Sequence, residues 1–286
     1  MRRLLKKLSA QRTEALFTVS CVVVDNDAAA SAHAVVEETQ REGVLSIRYE
    51  VEPERNFAVI RNRAVSLADG NLLAFIDDDE VPQEDWLLQL FSTLQKFDAD
   101  GVLAPVRPYF DGEPPSWIVK GRICDRPAHP TGMLLHWRQT RTGNVLLKRE
   151  ITAEQGIRFN PAFRTGGEDV DFFRRAIAAG NKFVWCEEAP AFELVPQERL
   201  QKRYHLKRAL LQGRISLKYA AERPSFVSRL GVAAKSFCAV AAYTLALPIT
   251  FIIGVHHGMK YLIKDCHHLG RLMALVGIEP FKERNF

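Results

Sequence analysis

Apolar and polar positions along the chain switch between the helical and the extended period. Residues 2–11 (RRLLKKLSAQ) place Leu4, Leu5 and Leu8 on one helical stripe. FTVSCVVVD, residues 17–25, is β-branched and runs into Asp25-Asn26-Asp27. That pattern predicts a parallel strand buried on both faces, with pairing partners on both sides and polar residues at its carboxyl end. Residues 30–41 read as helix, 46–52 (SIRYEVE) as a short strand, and 57–68 as a helix closing at Asp69-Gly70, where the glycine suits a C-cap. NLLAFIDDDE, 71–80, is a second buried strand that ends in acids, Pro82 and Trp86 open the next helix, and VLAPVRPYF, 102–110, is a third strand. Residues 111–131 hold Pro114, Pro115, Pro127 and Pro130 with few periodic apolar positions, which predicts a long surface loop near the site. TGNVLLKRE, 142–150, returns to strand, DVDFFRRAIAAG, 169–180, is an amphipathic helix ending at Gly180, and KFVWC, 182–186, is a last strand. Strands alternating with helices predict an open, mostly parallel α/β sheet that binds ligands beyond the carboxyl ends of its strands.

One stretch breaks this rhythm. From Phe237 to Val255 (FCAVAAYTLALPITFIIGV) 19 residues pass without a charge, and Arg229, Lys235, Lys260 and Lys264 flank them. A helix of that length just reaches across a hydrocarbon core of roughly 30 Å. Its Ala and Thr content, Pro248 and positive flanks on both sides weaken a spanning reading, and a buried helix pair broken at Pro248 is the alternative.

Charge sharpens the division. The chain of 286 residues has 39 Lys/Arg, 34 Asp/Glu and a 47% apolar content, which excludes a disordered tail or a collagen-like fibre. Residues 199–286 carry net +11 and residues 1–198 net −6. A basic, partly apolar tail is attracted to anionic lipid, so the expectation is a catalytic domain over 1–210 and a membrane-associated helical tail over 211–286. Cys21, Cys124, Cys186, Cys238 and Cys266 stand singly, which speaks against a disulfide framework and for a reducing cytoplasm, and no secretory signal is readable in MRRLLKKL.

The chemistry concentrates in acids. Asp77-Asp78-Asp79-Glu80 closes an apolar strand, and four adjacent carboxylates call for a divalent cation or for water. Oxygen-only ligands favour Mg2+ or Mn2+, while the bland reading is an acidic cap on the helix that follows. Gly166-Gly167-Glu168-Asp169 opens a helix, with glycines that admit a ligand close to the backbone and acids at the positive helix end. Alone, it is an ordinary helix start.

Order and spacing add to these clusters. Asp25-Asn26-Asp27, then Arg61-Asn62-Arg63 before Gly70, FIDDDE, Trp86-Leu87, Thr142-Gly143-Asn144 and GGEDVDFFRRAIAAG together resemble the family 2 inverting glycosyltransferases of GT-A fold, over about residues 1–210. Within that family VVVDNDAAASA, RTGNVLLKR and FRTGGEDVDFF look closest to bacterial exopolysaccharide glucosyltransferases of the succinoglycan type. The resemblance implies a Rossmann-like nucleotide-sugar fold and assigns roles by position. Asp25 and Asn26 face the nucleotide base, with Asn62 and Asp78 in the donor set. Asp77 faces the ribose and donor sugar, Asp79 ligates the cation with Asp77, and Asp169 is the base, with Glu168 beside it. Glu193, in ELVPQER where many relatives place a histidine, is the candidate third metal ligand. Gly143, Asn144, Gly167, Arg199 and Arg203 are candidates for acceptor or diphosphate, and Trp117 for stacking on the acceptor. Arg208 follows on the same basic stretch. His256-His257 and His267-His268 lie three helical turns apart and have no carboxylate or paired cysteine to complete a metal site.

The family begins with a strand and a turn that touch the nucleotide, whereas this sequence opens inside the helix that follows them. The expectation is a natural start roughly 15 to 25 residues upstream. The function implied is inverting transfer of a sugar, glucose by this reading, from a UDP-sugar to a lipid-linked oligosaccharide at the cytoplasmic face of the inner membrane. The alternatives are a catalytically silent binding subunit of a polysaccharide assembly complex and a metal-dependent nucleotide-sugar hydrolase. No nucleic-acid partner is expected.

Overall fold

The computed structural model describes residues 1–163, 166–217 and 226–278. Arg164 and Thr165 of the FRTGG tract, and 218–225 and 279–286 of the basic tail, lie outside the described residues. In chain order the elements are α1 (Arg2–Ser9), β1 (Ser20–Asp25), α2 (His33–Arg41), β2 (Ser46–Val51), α3 (Phe57–Leu67), β3 (Leu72–Phe75), β4 (Glu80–Pro82), α4 (Trp86–Lys96), β5 (Gly101–Leu103), β6 (Val106–Tyr109) and α5 (Ser116–Gly121). Then come β7 (Val145–Lys148), α6 (Glu150–Ala153), α7 (Glu168–Ala178), β8 (Phe183–Trp185), β9 (Ala191–Leu194), α8 (Lys202–Ile215), α9 (Phe226–Ile253) and α10 (Val255–Leu275).

The chain folds as two compact units, one of Met1–Arg107 with Arg126–Glu193 and one of Pro108–Asp125 with Leu194–Asn285. In the first, β1 and β2 pair in parallel, and β3-β7-β5-β8 form a second sheet. That sheet is mixed where the sequence pattern predicts a mostly parallel one: β7 lies antiparallel to both β3 and β5, and only β5 and β8 run parallel. A third sheet has the order β4-β9-β6, with β4 antiparallel to β9.

The four-stranded sheet explains the unbroken apolar runs. Val145 and Leu147 of β7 and Phe183 and Trp185 of β8 point to one side, into a core shared with Val65 of α3 and Phe172 and Phe173 of α7. Leu146, Val102 and Val184 point to the other side, onto Trp86, Leu90 and Leu94 of α4. Both faces are covered, so neither alternates with polar residues. β1 is different. Among the described residues it pairs with β2 alone, Val23 is buried with Leu5, Val36 and Ile47, and its second edge opens on a cavity where the sequence predicts a partner on either side.

In the second unit the proline-rich segment, expected as loop, contains α5. Trp117 and Ile118 of that helix pack with Met259 of α10. Helices α8 and α10 cross closely, because Gly213 and Gly270 leave no side chain between their backbones: an added Cβ would collide with the carbonyl of His267 or of Leu210. Helix α9 runs straight through Pro248, and the break falls instead at Gly254.

Candidate active site

β1 delivers Asp25 to the end of its sheet. The carboxylate is buried and accepts the backbone N–H groups of Asp27 (2.9 Å) and Ala32 (2.8 Å) and the hydroxyl of Tyr49 on β2 (2.9 Å). Burial alone would raise its pKa, but these bonds outweigh it and hold the group below the usual 3.8. Desolvation and the bonded Asp25 charge in turn push Tyr49 up to about 12. Asn26 follows, exposed. Between β1 and β3 lies a cavity of about 1070 Å3, with Asp25, Asn26, Asp27, Arg61, Asp77 and Asp78 among its polar lining.

β3 ends facing this space. Asp77, Asp78 and Asp79 make the exposed turn into β4, closed by the Glu80 N–H donating to the Asp77 carbonyl at 3.0 Å. Crowding of the carboxyl by protein, followed by neighbouring acids, pushes both Asp77 and Asp79 up; Arg61 and Arg126 pull Asp77 back. Glu80 is completely buried, and its Oε1 has no hydrogen-bond partner among the described residues. Desolvation, then the charge of Asp77, pushes it up to about 8.

Opposite Glu80 in the β4–β9 register stands Glu193. Arg126 lies between them, ion-paired to Glu193 and 3.7 Å from Glu80 Oε1. Arg141 completes the group. Desolvation, then Arg126, lowers its pKa to about 10, against the attraction of Glu80, Glu193 and Asp169, and its Nη2 is buried without a hydrogen-bond partner among the described residues. Gly143, two residues on, lets the chain pass between acids: a Cβ there would stand 3.0 Å from Glu80 Oε1 and 3.2 Å from Asp77 Oδ2.

α7 brings the second acidic pair. Gly167, at φ +96°, is its N-cap in the left-handed region that favours glycine, and the first turn carries Glu168 and Asp169. Glu168 is buried and ion-paired to Arg61 of α3. Burial pushes its pKa up, Arg61 opposes, and Asp169 adds to the rise. Asp169 is only half-buried, its Oδ1 accepting the Val170 N–H at 2.7 Å. Arg61 acts on Asp77 as well as Glu168, and Arg141 feels Asp169 as well as Glu80. Arg61, paired with Glu168, lines the same cavity as Asp77, so the strand end and the helix start meet at that arginine.

Several expected ligands have other work. Asn62 is spent on the Phe159 backbone, donating to its carbonyl (2.8 Å) and accepting its N–H (3.0 Å). Asn144, at φ +62° and fully buried, accepts Trp86 Nε1–H (2.7 Å) and donates to the carbonyls of Pro105 and Ala189 (2.9 Å each), so it locks the turn and has no side chain left for an acceptor. Trp117 is buried in the core of the second unit, edge-on to His205 at 5.7 Å, and presents no stacking platform. Arg199, half-buried, and Arg203, exposed, also belong to that unit. Arg61, Arg126 and Arg141 are functional candidates to which sequence reasoning gives no role, and Glu80 enters there only as the fourth acid of its cluster. Arg61 and Arg141 lie inside motifs read from the sequence, and nothing local marks Arg126.

The donor set suits a hard cation in chemistry: Asp77, Asp79 and the orphaned Glu80 oxygen are carboxylates beside a glycine that keeps the space clear. Glu193 is engaged by Arg126, and among the described residues no three such side chains already converge.

A model of the family described as Glycosyl transferase family 2 matches residues 1–159. The sequence is 31% identical to the succinoglycan biosynthesis protein ExoM of Rhizobium meliloti strain 1021 over 98% of this chain and 90% of that protein. It is 26% identical to the amylovoran biosynthesis glycosyltransferase AmsB of Erwinia amylovora over 57% of this chain and 56% of that one. Among solved structures, S. aureus TarS 1–349 in complex with UDP aligns with a TM-score of 0.53 at 14% identity, covering 98% of this chain and 88% of that chain. The fold is thus a mixed α/β fold of GT-A type.

Proposed function

The chain belongs to glycosyl transferase family 2, and from that premise we propose that it transfers a sugar, glucose by our reading, from a UDP-sugar to a membrane lipid-linked oligosaccharide in exopolysaccharide synthesis, with inversion. The observation that carries this reading is the ion pair of Arg61 with Glu168 at the cavity that Arg61 lines together with Asp25, Asp77 and Asp78. The relatives of known name act in succinoglycan and amylovoran biosynthesis, which supports the polymer class.

In this proposal Asp25, fixed and ionised by its three donors, and Asn26 hold the nucleotide base, and Asp77 orients the ribose and donor sugar. A Mg2+ or Mn2+ ion held by Asp79 with Asp77 would, when bound, supply positive charge to the diphosphate leaving group. Arg141, with an unmatched donor among acids, offers a second positive charge on the same side. Arg61 fixes Glu168 and so leaves Asp169 as the carboxylate open to the acceptor. Asp169 takes the acceptor hydroxyl proton while the acceptor oxygen bonds to the anomeric carbon; the bond from that carbon to the diphosphate breaks, and UDP leaves. One in-line displacement inverts the centre.

Labelled UDP-glucose, incubated with and without a lipid-linked acceptor, tests the reading. Asp169→Asn should cut transfer by about 10²–10⁴-fold and leave UDP affinity within about twofold. Residual turnover above about a tenth would place the base elsewhere. Sugar release to water at the same rate without acceptor would favour a hydrolase.

A further inference from the structure

Helix α9 turns an uncharged face outward. Phe237, Ala241, Leu245, Ile249 and Ile252 are all exposed and fall at i, i+4, i+8, i+12 and i+15, one continuous stripe of about 22 Å at 1.5 Å per residue. The run Arg229–Ile253 has the length to cross a bilayer and contains an 18-residue stretch of mean hydropathy 2.0. Its partner α10 is long enough but carries Lys260, Lys264, Asp265 and Arg271. Tyr243 meets Tyr261 edge-on at 5.6 Å and stacks on His268 at 6.0 Å, and the Thr244 hydroxyl donates to Asp265 at 3.0 Å. The ammonium of Lys264 lies 6.0 Å from the rings of both Tyr243 and Tyr261.

These contacts fix α10 beside α9 and set Lys264, Asp265 and His268 level with the middle of the apolar run. If α9 crossed the hydrocarbon, α10 would carry an ammonium and a carboxylate to its centre, the costliest depth for ionisable groups. Lying flat, the same hairpin buries only the stripe. Helices α8, α9 and α10 together hold ten Lys/Arg and one Asp, a charge balance that matches anionic headgroups and that an apolar protein partner would not require.

We propose that the α9–α10 hairpin lies in the plane of an anionic membrane surface, its outward stripe sunk to the headgroup–acyl boundary, and does not span. This refines the membrane placement proposed above and is independent of the transfer chemistry.

The full chain is mixed with phosphatidylcholine vesicles with or without phosphatidylglycerol and floated on a density gradient. Binding should rise about tenfold or more with the anionic lipid. Leu245→Glu with Ile249→Glu should lower it about tenfold or more, with an unchanged melting profile because both residues are exposed. Topology is read in inverted membrane vesicles with an impermeant maleimide, on His257→Cys at the turn and Ile278→Cys beyond α10, as labelling above the unsubstituted chain. In-plane seating leaves both open; protection of both means one crossing, protection of His257→Cys alone means an inserted hairpin, and either overturns the proposal. So does equal binding by the double-Glu variant, or failure of the unsubstituted chain to bind either vesicle. Vesicle binding without sugar transfer would count against the transferase reading alone.

Discussion

Replacing Arg61 with Gln isolates the contact that joins α3 to α7. The Glu168 side chain is 5% exposed and that of Arg61 19%, so the variant strands a carboxylate away from water. Breaking a buried pair by removing one partner costs about 3–5 kcal/mol, and the partial exposure of Arg61 sets the expectation near 3. The guanidinium also stands 5.7 Å from the rings of Phe57 and Phe159, whose loss adds about 0.5–1 kcal/mol with no dependence on pH. With both contributions the loss is about 3.5–4 kcal/mol, and at about 2–4 °C per kcal/mol the melting temperature should fall by about 7–16 °C at neutral pH. The pH dependence follows from Glu168, whose pKa in the folded chain already lies above the ordinary 4.5. A raised carboxyl weakens the fold once it ionises, so its penalty is absent below the unfolded value and grows as pH rises through the folded one. Without Arg61 the folded value climbs further. The deficit of the variant should therefore be smallest near pH 4 and largest near pH 8, measured by thermal or urea unfolding followed by circular dichroism. Arg61→Gln with Glu168→Gln should recover most of it. A deficit that is flat with pH and unrelieved by the second substitution would refute the assignment of Arg61 as the counter-ion of Glu168.

Two further outcomes follow from the same site. Asp79→Ala should remove the part of UDP-sugar affinity that depends on Mn2+, as EDTA does for the unsubstituted chain, by calorimetry; equal affinity in EDTA and Mn2+ would dismiss the cation. Asn144→Ala loses three side-chain hydrogen bonds at a left-handed position, and should cost about 2–4 kcal/mol in stability while UDP affinity per folded molecule stays the same. A stable variant that no longer binds UDP would return Asn144 to the ligand set.

Much of the fold was legible because its signals are local. The acids at the end of β3, the β-branched run of β1 and the glycine start of α7 are each contiguous, and each fell within a few residues of its predicted place. The third sheet was hidden: β4 and β9 are three and four residues long, and their pairing joins segments more than a hundred residues apart. The same kind of separation hides Arg126, whose partners are Glu80 and Glu193. Asn62 and Asn144 misled for another reason. An asparagine beside a motif has the same appearance whether it serves a ligand or the backbone, and only the surrounding carbonyls and N–H groups decide. Pro248 suggested a break because proline removes one helical hydrogen bond, yet α9 runs through it and ends at Gly254.

The open edge of β1 gives the first unit two degrees of firmness. Six residue pairs join β1 to β2, and among the described residues no strand pairing joins that layer to the β3-β7-β5-β8 sheet. The layer is held on its inner side by apolar packing such as Leu5 with Val23, which yields to local opening at lower free energy than a hydrogen-bonded ladder does. Asp25 rides on the looser layer and Asp77 on the firmer sheet. A nucleotide bridging the two would act as a tie-rod, spending part of its binding energy on quieting the layer, and slower amide exchange along β1 and β2 would record its arrival.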